Sequence, residues 1–505
     1  CDGAQPGCDR AATGNRKVAV MTTTYDNATR SASDEHGNPV SGPTEAIALY
    51  DQTIDRLARF HVDVLPLVGR LTEEHPDFPM GYAIAAYLSL NSTDPAELPA
   101  ARQAAELLRP IAGNDRERAH LAAIDAWSAG DWHGAARLLD DLLIRWPTDL
   151  LALVIGHQLD FFRGDAHNLR DRVGRSLAAF DPAHPHHGLA AGMHAFGLEE
   201  CGHYEQAEAA GCYAVEANPD DVWGIHAVTH TYEMRGRVDN GIRFLTGRQA
   251  DWGDANFLAV HNWWHLALFL LEAGRTADAL AIYDTRVHHA DSQGVILEMI
   301  DASAMLWRLF LDGVDTSDRF ATIADAWAGP AGAEPWYAFN DVHAVMALTG
   351  AGRTAEARAV IERLGRLAAG PATPDASNHE MTAAVGLPAS RAVLAFAEGR
   401  HHDVLAELVP IRTSLARFGG SHAQRDALVR TAVESAIAAG QTDLAQALVR
   451  ERLSLRESSV HYRLREARLA AQAGDTAAAR AAEQEAALRR RRFAAAYTGV
   501  AVTPG

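Results

Sequence analysis

A glycine-centred pattern recurs ten times in this chain, and it constrains the fold more than any other sequence feature. In each copy an apolar stretch precedes a glycine, and in six copies an alanine follows five residues later, as in "LLEAGRTADALAIY" with Gly274 and Ala279. A glycine in such a place typically ends one helix, and the alanine lets a second helix pack closely. The ten glycines are Gly130, Gly164, Gly202, Gly236, Gly274, Gly313, Gly352, Gly399, Gly440 and Gly474.

The spacing of these glycines predicts a helical repeat protein. Successive glycines are 34 to 47 residues apart, and the interval from Gly130 to Gly164 is 34 residues. A period near 34 is typical of tetratricopeptide (TPR) repeats, each of which is a helical hairpin. We therefore predict an all-α, TPR-like α-solenoid of about ten or more hairpins. Its hairpins would curl into a superhelix with a concave pocket that the curl could enclose.

The composition changes along the chain in a way that suggests three parts. Residues 1–42 are rich in Gly, Pro, Ser, Thr and Asn, so we predict a poorly ordered N-terminal tail. Residues 43–495 contain the repeats and form one predicted solenoid domain, and 496–505 form a C-terminal tail. No apolar run is long enough to span a bilayer, so no membrane partner is expected.

Charge and cysteine content exclude other classes. The formal charge of −19 argues against a nucleic-acid partner, because a phosphate backbone requires a basic face. Cys1, Cys8, Cys201 and Cys212 show neither a disulfide framework nor the spacing of a zinc site. A reducing cytoplasm is the expected location on this basis.

Two histidine pairs, each spaced by one helical turn, stand out within consecutive repeats. They occur in "GIHAVTHTYEMRGR" (224–237) and "VHNWWHLALFLLEAGR" (260–275). In TPR proteins, helix positions near 2, 5, 9 and 12 face the concave side. Counting back from each repeat glycine puts His226, His230 and Glu233 on positions 5, 9 and 12, and His261 and Trp264 on positions 2 and 5 of the next repeat.

This register predicts a histidine-lined groove. His265, at the groove margin, is predicted to pack between helices. The candidate catalytic residues are His226, His230, Glu233, His261 and Glu200. The candidate ligand-binding residues are Trp223, Trp263, Trp264, Phe196, His343, Asn340 and Arg425.

Three interpretations of the groove remain open. His226, His230 and Glu233 have the residue types to bind zinc or another divalent transition metal, with His261 and His265 as further ligands. Alternatively, a neutral histidine acts as a general base oriented by Glu233 or Glu200, without a metal. The third interpretation is that all these side chains are satisfied interhelical packing. We prefer the metal-free site, with no cofactor.

The segments around these histidines resemble the tetratricopeptide repeat protein 38 family over about residues 43–450. The most specific segments are "NPDDVWGIHAVTHTYEMRG" (218–236) and "HNWWHLALFLLEAGRTADALAIYDTRV" (261–287). Others are "FNDVHAVMAL" (339–348) and "LVPIRTSLARFGGSHAQRD" (408–426). Glu200 fits the family pattern better than Glu199 does. The resemblance implies a TPR-like fold found in bacteria and animals, and it implies no defined activity.

Two functions fit these features. The first is a soluble enzyme that acts on a small, partly apolar molecule by histidine and glutamate acid–base chemistry, such as hydrolysis, elimination, isomerisation or cyclisation. Hydride transfer is excluded because no dinucleotide-binding fingerprint is present. The second is a non-catalytic TPR scaffold for a peptide or partner protein. A homodimer is compatible with either. The loop "DPAHPHHG", with His184, His186 and His187, is predicted to join repeats and to bind metal only adventitiously.

Overall fold

The computed structural model describes residues 32–372 and 376–499, and this part of the chain is built from α-helices. It contains no β-strand, although isolated bridges join Ser33 to Pro39 and His61 to Asn256. The helices are α1 Thr44–Ala58, α2 Val64–Glu74, α3 Pro79–Asn91, α4 Leu98–Leu108, α5 Asp115–Ser128, α6 Trp132–Arg145, α7 Leu150–Arg163, α8 Ala166–Leu177, α9 Pro185–Glu200, α10 Tyr204–Ala217, α11 Val222–Met234, α12 Val238–Gly247, α13 Gln249–Trp252, α14 Ala259–Glu272, α15 Thr276–Ile282, α16 Ile296–Leu311, α17 Ser317–Trp327, α18 Ala338–Gly350, α19 Thr354–Ala369, α20 Ser377–Met381, α21 Leu387–Ala397, α22 His401–Ile411, α23 His422–Ala438, α24 Thr442–Leu455, α25 Val460–Gln472 and α26 Thr476–Ala494.

The repeat glycines mark the turns of ten helical hairpins, as the sequence pattern predicted. Every one of the ten has a positive φ, from 63° at Gly236 to 97° at Gly130. Glycine adopts this left-handed conformation at little steric cost, so it can end the first helix of each hairpin. The alanines five residues later, such as Ala279 and Ala357, are fully buried against the first helix. The predicted all-α solenoid is confirmed.

The superhelix curls far enough for its C-terminal repeats to contact residues 225 and 253 positions earlier in the chain. Arg425 on α23 forms an ion pair of 3.0 Å with Glu200 on α9. Arg492 on α26 forms another of 3.0 Å with Asp239 on α12. Helix α23 also contacts α11 and α16, so it lies across the concave side. A cavity beside α11 and α14 is lined by Glu233, Glu272, Arg308, Arg430 and Arg456.

The predicted N-terminal tail, residues 1–42, extends too far along the chain, because residues 32–42 pack against the helical repeats. Residues 32–42 form a turn that packs on α5 and α7, where Val40 is buried. The Asp34 carboxylate lies 3.1 Å from the buried Arg116 guanidinium, and the Ser41 N–H donates to Glu117 over 2.6 Å. The remainder of the predicted tails, 1–31 with Cys1 and Cys8 and 500–505, lies outside the described residues.

Two further observations concern the location of the protein. None of the described helices is both long enough and apolar enough to span a bilayer. Cys212 is disulfide-bonded, whereas Cys201 has a free thiol. The sequence shows no disulfide framework, so the disulfide at Cys212 was not predicted, and the cytoplasmic location stays a prediction.

Candidate functional site

Four histidine rings from two neighbouring repeats converge between α11 and α14. His226 and His230 lie one turn apart on α11, and His261 and His265 lie one turn apart on α14, so each pair shares a helix face. One ring nitrogen from each residue lies within 4.8 Å of the other three. The ring centroid of His230 is 4.4 Å from those of both His226 and His265. We call these residues the four-histidine cluster.

The cluster is buried, and most of its nitrogens facing inward have no hydrogen-bond partner. His230 and His265 are fully buried, and the His261 side chain keeps 14% of its exposure. Both nitrogens of His230, Nδ1 of His226 and Nε2 of His265 lack a partner. His226 Nε2 lies 3.1 Å from His261 Nε2. Interhelical packing usually satisfies buried polar atoms, so these lone nitrogens favour a site over packing.

Carboxylates on the outer side orient two of the rings. Asp301 on α16 contacts His261 Nδ1 at 2.7 Å, and Glu233 contacts His265 Nδ1 at 3.0 Å. A carboxylate accepts a hydrogen bond, so the proton of each ring belongs on Nδ1 and the Nε2 lone pair faces the cluster. Glu199 Oε2 lies 3.7 Å from His230 Nδ1, which is too long for a hydrogen bond.

Burial favours the neutral form of His226, His230 and His265. Desolvation places the pKa of His226 and His230 well below the usual histidine range, and repulsion from the other rings lowers it further. Burial also lowers the pKa of His265, against the opposing effect of Glu233. Neutral imidazole is the form that binds a metal ion or accepts a proton.

Two glutamates near the cluster differ in charge state. Burial raises the pKa of Glu199 well above its usual value, and the nearby charges of Glu200 and Glu233 add to this effect. Neither oxygen of Glu199 has a hydrogen-bond partner. Burial also disfavours ionised Glu233, but the His265 hydrogen bond and the Arg456 charge outweigh it and lower the pKa of Glu233. The site therefore combines an ionised Glu233 with a protonated Glu199.

Aromatic rings cover the cluster, as the sequence predicted for three of them. The Phe196 centroid lies 4.9 Å from that of His226 and 5.1 Å from that of His230. Trp264 stacks on His261 at 5.2 Å, and Trp223 lies 4.9 Å from His226. These walls exclude water and provide an apolar surface beside the nitrogens.

The other predicted site residues lie away from the four rings. Trp263 donates to the Gly253 carbonyl and packs on Trp252. Asn340 on α18 donates to the Thr93 carbonyl, and this bond connects distant repeats. Their contacts support the fold, so neither residue lines the cluster.

Three more predicted residues also have structural partners. His343 is bonded to the Phe339 carbonyl through Nδ1 at 2.7 Å, and burial lowers its pKa to about 4. Arg425 pairs with Glu200, whose other oxygen accepts the His422 N–H at the start of α23. One Glu200 oxygen lies within 4.8 Å of a His230 ring nitrogen, but the Glu200 carboxylate is hydrogen-bonded to Arg425 and to the His422 N–H, and not to a ring of the cluster.

Sequence reasoning misses three contributors to the site. The repeat register assigns His265 to packing, yet its ring is part of the cluster. From the sequence, Glu199 ranks below Glu200. Two consecutive glutamates at the end of a helix point in different directions, so either of them could have reached the cluster. Asp301 has no sequence signal, because only the packing of α16 on α14 brings it to His261. Glu233, a predicted metal ligand, instead orients His265.

Comparison with known proteins gives no functional assignment. No protein-family model matches this chain. Among solved structures, the chain is similar to one titled "Circular tandem repeat protein with novel repeat topology and enhanced subunit contact surfaces". The sequences are 13% identical, the match covers 89% of this chain and 97% of that chain, and the TM-score is 0.12. A likeness at this TM-score carries no argument about function.

Proposed function

We propose that the four-histidine cluster binds one divalent transition-metal ion and that the protein is a metal-assisted enzyme acting on a small, partly apolar molecule. The observation that carries this proposal is the convergence of four ring nitrogens, most of them without other partners, on one buried point. The geometry reverses the preference for a metal-free site that the sequence favours. The metal set also changes from His226, His230 and Glu233 to the four histidines.

The distances and charges support a bound cation. Ligand nitrogens about 2.0–2.1 Å from a tetrahedral ion lie about 3.3–3.4 Å from one another, close to the 3.1 Å between His226 and His261. The Glu233 carboxylate, whose pKa is lowered, supplies a negative charge next to the cluster, and the Asp301 carboxyl group contacts His261. Carboxylates that hold the outer nitrogen of a ligand histidine are a common feature of metal sites.

The imidazole ligands limit the choice of metal. Imidazole suits zinc, copper, iron and nickel, whereas magnesium and calcium prefer oxygen ligands. Four histidines would occupy all four coordination positions of a tetrahedral zinc ion. A metal ion that takes five or six ligands would still have one or two positions at which a substrate could bind. A bound ion would supply Lewis acidity. The protein would supply Glu199 as a proton donor and the aromatic rings as substrate walls.

The burial of the site supports a small molecule as the substrate. Helix α23 contacts α11, and among the four histidines the His261 side chain is partly exposed, at 14%. A peptide scaffold would require a long open groove. Membership of the tetratricopeptide repeat protein 38 family and a cytoplasmic location remain predictions from the sequence.

Metal analysis of protein without a histidine tag tests the binding proposal. The double variant H226A/H265A should lose one equivalent of metal relative to the wild type, while the control H289A changes an exposed histidine and should lose none. Circular dichroism checks that each variant is folded. If folded H226A/H265A retains the wild-type metal content, the proposed site is wrong.

Catalysis requires its own test. Wild-type and E199Q proteins, both loaded with metal, are compared against a panel of small esters, amides and lactones. We expect turnover by the wild type and at least a roughly tenfold lower kcat for E199Q, because the glutamine amide of the variant cannot donate a carboxyl proton. Equal kcat values at unchanged metal content would contradict the proton-donor role.

A further inference from the structure

A second group of metal-ligand residues lies where the N-terminal turn meets the start of α9. It consists of Glu35, His36, His184 and His186, and one ligand atom from each lies within 4.8 Å of the others. His36 Nε2 lies 2.8 Å from His186 Nδ1. Glu35 carboxylate oxygens lie 3.5 Å from His184 Nε2 and 3.5 Å from His186 Nδ1. These residues come from two distant segments of the chain, and His36 and His186 are 150 positions apart in the sequence.

The orientation of His186 suits a metal ligand. Its ring is almost fully buried, and its Nε2 lies 3.2 Å from Asp55 Oδ1 on α1. The Asp55 carboxylate places the ring proton on Nε2, so the Nδ1 lone pair faces His36 and Glu35. This is the same carboxylate–histidine arrangement as in the four-histidine cluster.

His184 contributes at the cost of one hydrogen bond. Its Nδ1 accepts the His186 N–H over 3.2 Å as the N-cap of α9. Coordination through Nε2 requires the ring proton on Nδ1, so metal binding replaces this cap bond. A metal–nitrogen bond more than offsets the loss of one long cap bond.

We propose that Glu35, His36, His184 and His186 bind one Zn²⁺ ion that fastens residues 32–42 to α9. Three histidines and one carboxylate complete a tetrahedral shell, as in a structural zinc site. The ion would crosslink the turn that carries Asp34 to the body of the protein. Asp34 forms an ion pair with the buried Arg116, so the fastened turn keeps this cation paired.

The location gives such an ion a structural role. The buried apolar residue of the turn is Val40, and its polar contacts include Glu117 on α5, Thr148 just before α7 and Asp51 on α1. A crosslink raises the stability of a segment held in this way, because the ion binds the folded arrangement and not the open one. The site is separate from the four-histidine cluster and does not depend on the proposed enzyme activity.

Zinc titration of the metal-free, full-length protein tests this proposal. We expect E35Q/H36A to bind one equivalent fewer than the wild type. The matched control is H187A, which changes a neighbouring histidine that faces Tyr213, and it should bind as many equivalents as the wild type. E35Q/H36A alters partly exposed side chains, so its fold is expected to persist. If E35Q/H36A binds as many equivalents as H187A, the site is wrong.

Hydrogen exchange separates this site from the four-histidine cluster. Adding Zn²⁺ should slow amide exchange in residues 33–40 at least roughly tenfold in the wild type and in H226A/H265A, but not in E35Q/H36A. If Zn²⁺ leaves exchange in residues 33–40 unchanged in the wild type, a direct His36–His186 hydrogen bond explains the contact and the proposal is overturned. Loss of the zinc equivalent in H226A/H265A concerns only the proposed function.

Discussion

At the scale of single residues, the chemical state of the clustered histidines is set by neighbours in other helices. His265 on α14 is oriented by Glu233 on α11, and His261 on α14 is oriented by Asp301 on α16. The rings alone could rotate or exchange protons. Their carboxylate partners fix which nitrogen faces inward, so the partners are part of the proposed metal site.

Replacing Glu233 tests this dependence. In E233Q the amide oxygen can still accept the His265 proton, but the negative charge is lost. We expect metal affinity to fall about 10–100-fold, as is common when a carboxylate behind a ligand histidine is changed. The measurement is competitive titration against a chromogenic chelator. E466Q, which changes a partly exposed carboxylate on α25, serves as the control, and equal affinities for both variants would contradict the role of Glu233.

Two buried aspartates with the same local role have pKa values shifted in opposite directions. Asp149 and Asp221 are N-caps of α7 and α11, and both are fully buried. Burial opposes ionisation of both. The Arg116 charge and His120 nevertheless lower the pKa of Asp149 far below its usual value, whereas burial raises the pKa of Asp221 to about 7. The difference is the buried cation beside Asp149.

We predict different effects of D221N and D149N on the free energy of unfolding. Because the pKa of Asp221 is raised in the folded state, this residue stabilises the fold less as pH rises from about 4 to 7. The free energy of unfolding of D221N should therefore increase, relative to that of the wild type, by about 2 kcal/mol between pH 5 and pH 8. A lowered folded pKa means that Asp149 stabilises above its unfolded pKa, so D149N should be destabilised at both pH values. Urea unfolding at pH 5 and pH 8 measures both. A pH-independent difference for D221N would contradict the prediction.

At the scale of helices, the repeat glycines carry most of what the sequence could predict. Each has a positive φ, and each was identifiable from its place in the recurring glycine-centred pattern. The same register correctly turned His226, His230 and His261 towards a common face. The register predicted that His265 packs between helices, because position 6 of an average repeat faces the neighbouring helix. In this protein the four-histidine cluster lies between those helices, so His265 is part of it. The contact of Asp301 with His261 and that of α23 with α11 depend on the curvature of the superhelix, which no local sequence pattern predicts.

Not all repeat glycines are equally constrained. At Gly440, with φ of 67°, an added Cβ would meet no atom within 4 Å, whereas at Gly236 it would overlap Ser458 Oγ. We expect G440A to cost about 1 kcal/mol for the left-handed backbone alone. G236A should cost about 1–3 kcal/mol more, because Ser458 must also move away from the Gly236 carbonyl to which it donates. Chemical denaturation measures both costs, and equal values would contradict this account.

At the scale of the whole molecule, closure of the superhelix changes how the repeats depend on one another. In an open solenoid each repeat contacts only its neighbours, and stability propagates along the chain. Here Glu272 at the end of α14 accepts the Val460 N–H at 2.7 Å and the His461 N–H at 3.2 Å, and it pairs with Arg430. One carboxylate thus caps α25 from a position 188 residues before Val460.

Removing this carboxylate should loosen the closure without unfolding the early repeats. In E272A the first N–H groups of α25 and the buried Arg430 lose a charged partner, so we expect a loss of about 2–4 kcal/mol confined to the closing contacts. Hydrogen exchange should accelerate in α25 and α26 and stay unchanged in α5 to α8. E466Q is again the control. Uniformly faster hydrogen exchange along the chain would show that the solenoid unfolds as a single unit and that Glu272 does not stabilise only the contacts with α25.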